Sequence, residues 1–250
     1  MRYFALLLTA ILAFAGPAVA QEAGPHILAS VASVDRPVAD RERDALRKPA
    51  EVLAFAGVRE GWRVGEYMPG GGYFTRILAR AVGPDGHVLA YQPAEIVRMR
   101  PAFLTEIQAV AAEPGMGNVS VVSAPTRAFA APEPLDLVFT VQNYHDLYGP
   151  YAGEGTGAAF DRAVFAALRP GGVYLVVDHH AAAGTGLSGA GQQHRIERQA
   201  AIDAITAAGF VLEAESDLLA NPDDPLTASV FDPSIRGRTS QFMLRFRKPG

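Results

Sequence analysis

The sequence predicts an α/β domain: a mostly parallel seven-stranded sheet with helices on both faces and an antiparallel last strand. Three observations carry that expectation. Strand-like and helix-like segments alternate from residue 62 onward, the pattern of a parallel sheet covered on both faces. The runs "LDLVFTV" and "VYLVV" are almost continuously apolar, as strands buried on both faces are. The chain ends on two strand-like runs, 210–219 and 239–248, with no helical pattern between them, so the final strand is free to insert antiparallel.

The first twenty residues stand apart from this pattern. Arg2 precedes the apolar run "YFALLLTAILAFAG", and Ala18-Val19-Ala20 supplies small residues before Gln21. That layout is a secretory signal peptide with cleavage expected after Ala20. The apolar run is shorter than the roughly 20 residues a spanning helix needs, so no stable membrane insertion is expected after cleavage. Removing residues 1–20 leaves 230 residues and takes the formal charge from −4 to −5. The expected location is periplasmic or secreted. Residues 21–36 read as an extended or mobile lead-in, and residues 37–250 as a single domain.

Within the domain, Pro37 to Phe55 reads as helix, with Pro49 marking a break or a second start. Its alternating charges, Asp40 to Lys48, suggest a solvated, ion-paired face. "WRVGEYM" is the first strand. "YFTRILARAV" follows as a helix, with Phe74, Ile77, Leu78, Ala81 and Val82 on one apolar stripe. "HVLAYQ" is the second strand, and residues 94–112 are helical with a break near Pro101. "NVSVVS" and "LDLVFTVQN" are strands three and four. "GAAFDRAVFAAL" is a helix closed by Arg169-Pro170-Gly171-Gly172, and "VYLVVDH" is strand five. The glycine-rich stretch 180–191 exceeds a simple connection, and loops of that length usually carry function or are disordered. A helix is expected from His194 to Ala208. The closing strands flank a Pro/Asp-rich excursion over 220–238.

Composition excludes several functions. There are no cysteines, so disulfides, thiol catalysis and cysteine metal sites are ruled out. A pI near 5.9 gives no electrostatic reason to bind nucleic acid or an anionic membrane. A small-molecule substrate is the expected partner, and the oligomeric state is left open.

"GEYMPGGGYF" joins the first strand to its helix. A strand ending in an acid, then glycines, then an amphipathic helix is the nucleotide-binding turn. Glycines let the backbone approach a ligand, and the helix start offers free N–H groups. With this loop, the chain resembles the class I S-adenosylmethionine-dependent methyltransferases, whose sheet is Rossmann-like. Glu66 stands at the acid position, and Gly70 and Gly72 at the second and third glycine positions of the acid-x-Gly-x-Gly-x-Gly motif. "PLDLVFTVQNYHDL" resembles the fourth-strand motif and "LRPGGVYLVVD" the fifth-strand motif. The likeness runs from about Pro49 to Lys248. It is nearest to exported, uncharacterised methyltransferases that share the PGGGY loop and the His-Arg helix start.

The resemblance implies S-adenosyl-L-methionine as cofactor, held by Glu66, Met68, Gly70, Gly71, Gly72 and Gln92. Two positions depart from the family. Met68 occupies the first glycine position. Gln92 stands where the second strand ordinarily ends in the acid that binds the ribose hydroxyls, and a neutral amide makes weaker bonds than a carboxylate. The resemblance also turns the end of the fourth strand towards the methyl acceptor, which makes Asn143, Tyr144 and His145 the catalytic candidates. His145 has the ordinary pKa of a general base. His180, His194 and Arg195 are candidates for holding substrate. His179 and His180, as strand neighbours, face opposite sides. Asp178 with these histidines has a composition that Zn²⁺ or Fe²⁺ accepts, but no tight ligand spacing is present and no metal is expected. Methyl transfer to a small acceptor is the leading reading. A non-catalytic ligand-binding protein on the same fold and a histidine-based metal enzyme are the alternatives.

Overall fold

A computed structural model describes residues 22–250. The expected signal peptide, residues 1–20, lies outside them. Among the described residues no helix is long and apolar enough to cross a membrane.

Seven strands form one sheet in the order β3-β2-β1-β4-β5-β7-β6. They are β1 (Arg63–Tyr67), β2 (His87–Pro93), β3 (Val119–Ala124), β4 (Leu135–Val141), β5 (Leu168–His179), β6 (Val211–Ser216) and β7 (Gln241–Arg247). The β1–β2, β1–β4, β2–β3 and β4–β5 pairs are parallel. β7 inserts antiparallel between β5 and β6, as the helix-free link before it allows. Strand order reverses between β1 and β4, so the ligand crevice is expected at the C-terminal ends of those strands.

The two-residue period of the strands divides the core into two layers. Leu137 and Phe139 face one side with Leu175 and Val177, while Val138 faces the other with Tyr174 and Val176. The first layer is covered by α1 (Pro25–Ala32), α4 (Pro49–Ala56) and α5 (Tyr73–Val82). The second is covered by α8 (Thr156–Ala167) and α9 (Arg198–Ala207). α6 (Ala94–Met99) and α7 (Ala102–Ala111) break at Pro101, and α7 buries Ile107 and Val110 near β2. Phe74, Ile77 and Leu78 of α5 are buried, and each contributes roughly 1.5–3 kcal/mol of burial.

Four expectations change. The lead-in is not extended: Pro25 starts α1, and Ile27 enters the first core layer. The 37–55 stretch is three helices, α2 (Val38–Arg41), α3 (Asp44–Arg47) and α4, with Lys48 left-handed at φ 42° before Pro49. β5 begins at Leu168, because Leu168 pairs with Leu135 before the glycine turn. α9 begins at Arg198 rather than His194, because His194 is left-handed at φ 54° and Ile196 bridges to His180.

The alternating charges form a solvated, ion-paired face only in part: Arg41, Glu42 and Arg43 are exposed, whereas Asp40 and Asp44 turn inward. Arg36 is buried and donates to both oxygens of Asp44 at 2.7 Å and to the Val31 carbonyl at 2.6 Å. Asp44 also accepts from the Tyr73 hydroxyl at 2.6 Å, and Asp40 pairs with Arg76 at 3.3 Å. These bonds lay α2 and α3 across the start of α5, above the glycine loop.

Candidate functional site

A cleft of about 650 Å³ opens at the C-terminal ends of β1, β4 and β5. One rim is the glycine loop. The Met68 N–H donates to the Tyr91 carbonyl at 2.9 Å, which ties the loop's first residue to β2. Met68 has φ 55°, and Gly70 and Gly72 have φ 58° and 77°. Met68 therefore takes the left-handed conformation that a glycine at this position would adopt without strain. A side chain at Gly70 or Gly71 would meet nothing within 4 Å, so the backbone there faces open space. Gly72 differs: it caps α5, and a Cβ on it would lie 2.8 Å from Val110. It is a packing glycine and does not line the cleft.

Glu66 sits beneath the loop, bordering a small inner recess with Arg47 and Asn143. The Thr75 hydroxyl donates to it at 2.6 Å. Burial pushes its carboxyl up to about 7, against the Thr75 bond and the Arg47 charge. Gln92 follows Tyr91 and is fully buried, with neither amide atom hydrogen-bonded. It does not line the cleft wall. An unpaired buried amide costs about 1–3 kcal/mol per unsatisfied group, so its retention marks a position that needs explaining.

The opposite rim is assembled from four segments. β4 runs into Gln142, left-handed at φ 63°, and then Asn143. Asn143 reaches across and donates to the Met68 carbonyl at 3.1 Å, linking the two rims. His145 follows and meets the end of β5. Its N–H donates to Asp178 at 2.6 Å, and its Nδ1 lies 2.8 Å from the other Asp178 oxygen. Its Nε2 lies 3.3 Å from Asp146. Both ring nitrogens thus face carboxylates, an arrangement that the doubly protonated ring satisfies. Burial opposes the charge, but Asp178 and Asp146 outweigh it and hold His145 up at about 10. His145 is therefore an imidazolium at neutral pH, unlike the neutral base expected from its ordinary pKa. Asp178 is held below the usual carboxylate range: burial would raise it, but the His145 charge and bonds prevail.

His179 lines the cleft as well, sharing a 2.8 Å hydrogen bond with Thr239, and burial pulls its pKa down to about 4. The His179 and His194 rings lie 5.8 and 5.5 Å from that of His145. Among the described residues no three metal-ligating side chains converge as a ligand set. His194 packs edge-on against Phe231 at 4.8 Å, and Phe231, from the 220–238 excursion, is 57% exposed at the cleft mouth.

Besides Gly72 and Gln92, three more candidates are placed off the cleft. Tyr144 is buried in the second core layer, its hydroxyl donating to Asp161 at 2.8 Å, because it faces α8. His180 points away from His179 and packs on Phe242 at 5.6 Å. Arg195 has no exposure: it pairs with both oxygens of Asp224 at 2.9 Å and donates to two carbonyls. Its task is to pin the excursion over the sheet end. The cleft gains Arg43, Arg47 and Asp40 from α2–α3, and Asp146, Tyr151 and Phe231, none of which the sequence reading placed there. The Arg47 guanidinium stacks over Tyr73 at 4.3 Å, and burial with the Arg43 charge pulls its pKa down to about 10. No short-range pattern signals this, since the packing of α3 on Tyr73 is a tertiary contact.

Of the five non-glycine residues with positive φ among the described residues, three (Met68, Gln142 and His194) line the cleft. Backbone strain of this kind gathers at functional sites, where the surrounding structure holds it in place.

No family model and no curated protein matches the chain. Solved structures do. A SAM-dependent methyltransferase from Aquifex aeolicus aligns with TM-score 0.58 at 16% identity, over 88% of this chain and 97% of that one. The [4+2]-cyclase SpnF aligns with TM-score 0.59 at 16% identity, over 89% and 92%. CrArsM, an arsenic(III) S-adenosylmethionine methyltransferase from Chlamydomonas reinhardtii, aligns with TM-score 0.56 at 17% identity, over 90% and 74%. Strand order, the antiparallel β7 and these alignments agree, and the chain has the Rossmann-like class I methyltransferase fold.

Proposed function

We propose that the protein is an exported S-adenosylmethionine-dependent methyltransferase acting on a small acceptor, close to the exported methyltransferases that share its PGGGY loop. The observation that carries this reading is the open glycine cradle on the rim of the cleft, at the switch point of the sheet. Gly70 and Gly71 leave room for a ligand along the backbone. The cradle fits the group; Gln92, buried and off the cleft wall, does not reach it as placed.

When bound, S-adenosylmethionine supplies an electrophilic methyl group. The chain's own residues do the rest. Asn143 fixes the distance between loop and β4 through Met68. The His145 imidazolium, held between Asp178 and Asp146, presents a fixed ion-paired cluster beside the cleft, and Phe231 with His194 shields the mouth from water. Positioning of this kind is the main demand of an in-line displacement.

A second reading is favoured by one observation. At the end of β3 the Thr126 N–H and hydroxyl are already taken by Glu95, at 3.1 and 3.3 Å. The Thr126 N–H is therefore not free for a purine ring. That supports a different ligand in the same cleft, bound without methyl transfer, as does the cyclase among the fold relatives, since one fold serves several reactions.

Calorimetric titration of the mature protein with S-adenosylmethionine and S-adenosylhomocysteine separates the two. Stoichiometric binding lost in Gly70→Val supports the methyltransferase reading. No binding of either at millimolar ligand removes it. Export is checked by the mass of the protein recovered from the periplasm, which is expected to begin at Gln21.

A further inference from the structure

We infer that the protein carries a second binding site, for a multiply charged oxyanion such as a phosphate group, at the end of the sheet opposite the cleft. A cavity of about 270 Å³ lies between the end of α4, the start of β5 and the end of β7. Arg59, Arg169, Arg245 and Arg247 line it together with Trp62, and among the described residues no acid does. Val173, at its floor, is six residues before His179 along β5. That separation is about 20 Å at the rise of a strand, so this cavity and the cleft are independent.

The arginines are fixed but not saturated. Arg247 donates to Glu213 at 2.7 Å and to the Gly171 carbonyl at 2.8 Å. Arg245 donates to the Phe55 carbonyl at 2.7 Å. Its Nε is ion-paired with Glu213 at 3.0 Å. Arg169 donates through Nε to Asp136 at 2.6 Å. Exposed Arg59 lies over Trp62, its guanidinium carbon 5.8 Å from the ring, and makes no ion pair among the described residues. Four guanidinium groups are thus matched by two carboxylates, Glu213 and Asp136. In a chain of formal charge −4, this concentrates positive charge in one concave place. Guanidinium forks held in advance by backbone carbonyls match the oxygens of a phosphate. The carboxylates tie down Arg245, Arg247 and Arg169 and leave Arg59 for a ligand.

The test is a calorimetric titration of the mature protein with inorganic pyrophosphate at low salt. Co-flotation with phosphatidylcholine vesicles, with and without phosphatidic acid, separates a free phosphate compound from a lipid headgroup as the source. The expected result is one pyrophosphate site, weakened roughly tenfold or more in Arg59→Ala, the loss of one charge-assisted contact. Arg47→Ala, in the cleft, is expected to leave it unchanged. Flotation only with phosphatidic acid, lost in Arg59→Ala, supports the site with a headgroup as occupant. Arg59 is exposed and unpaired, so its variant keeps the fold, which a thermal melt verifies. The inference is overturned if neither probe binds, if Arg59→Ala binds as wild type, or if Arg47→Ala removes the binding.

Discussion

The glycine rim of the cleft is one contiguous stretch, Met68 to Gly71, whereas the histidine rim gathers His145, His179, His194 and Phe231 from four segments. The first rim is shaped by local backbone: left-handed Met68, Gly70 and Gly72 between a strand and a helix. The second is shaped by buried ion pairs far apart in sequence, Asp178 with His145 and Asp224 with Arg195. The difference teaches where each rim is vulnerable. A local loop tolerates change outside itself. An assembled rim depends on charges that cannot be left alone in the interior, because an uncompensated buried charge is far more costly than an absent pair.

The largest expected effect falls on the assembled rim. Asp178→Ala strands the His145 imidazolium and is expected to destabilise the protein by about 3–5 kcal/mol in urea unfolding. The pH dependence follows from both partners. Asp178 is depressed, so its contribution is present above its ordinary 3.8 and is lost as pH falls through the folded value. His145 is raised, so its contribution is full below 6.5 and is lost as pH rises through about 10. The gap between wild type and variant is expected to be widest between those limits. A gap that does not shrink towards pH 10 breaks the ion-pair account of this rim.

Next comes the base of the glycine rim. Glu66 is raised to about 7 by burial, so the folded state holds a proton that the unfolded state releases above 4.5. Its ionisation therefore costs stability as pH rises from 4.5 to 7, and the cost is complete above 7. Glu66→Gln is expected to gain about 2–3 kcal/mol relative to wild type on going from pH 4 to pH 8. Thermal melts across that range check it. A constant difference would place Glu66 in a polar, not a buried, setting.

The third test sharpens the cofactor side. Gln92 lies buried off the cleft wall, so Gln92→Glu is expected to leave S-adenosylmethionine affinity within about twofold of wild type. Calorimetry reads it, and binding tightened about tenfold would place the side chain on the ligand. The smallest effect belongs to Phe231. It is 57% exposed, so Phe231→Ala is expected to change stability by less than about 0.5 kcal/mol. Ligand dissociation measured by stopped flow is expected to speed up, since the ring and His194 close the mouth.

The two rims also differ in how far the sequence disclosed them. The loop was legible because its residues are neighbours: an acid, glycines and an amphipathic stripe fall within one short window. Asn143 and His145 were legible as the residues after a buried strand. Arg43 and Arg47 were not, because alternating charges look the same on a solvated helix as on one laid over Tyr73. Arg195 looked like a substrate ligand until its partner Asp224, 29 residues away, was seen to neutralise it. Tyr144 and His180 differ from their neighbours only in which way the chain turns at the strand end.

The sequence by itself determined the alternation of strands and helices, marked the place of the glycine loop and allowed an antiparallel entry of the last strand. The alternation is written in a local period, of two residues for strands and about 3.6 for helices. Only the tertiary structure decided that His145 is doubly paired and charged, that α2 and α3 roof the cleft, and that four arginines meet at the far end of the sheet. Charge state and concavity depend on burial and on partners distant in sequence, and no local period encodes them.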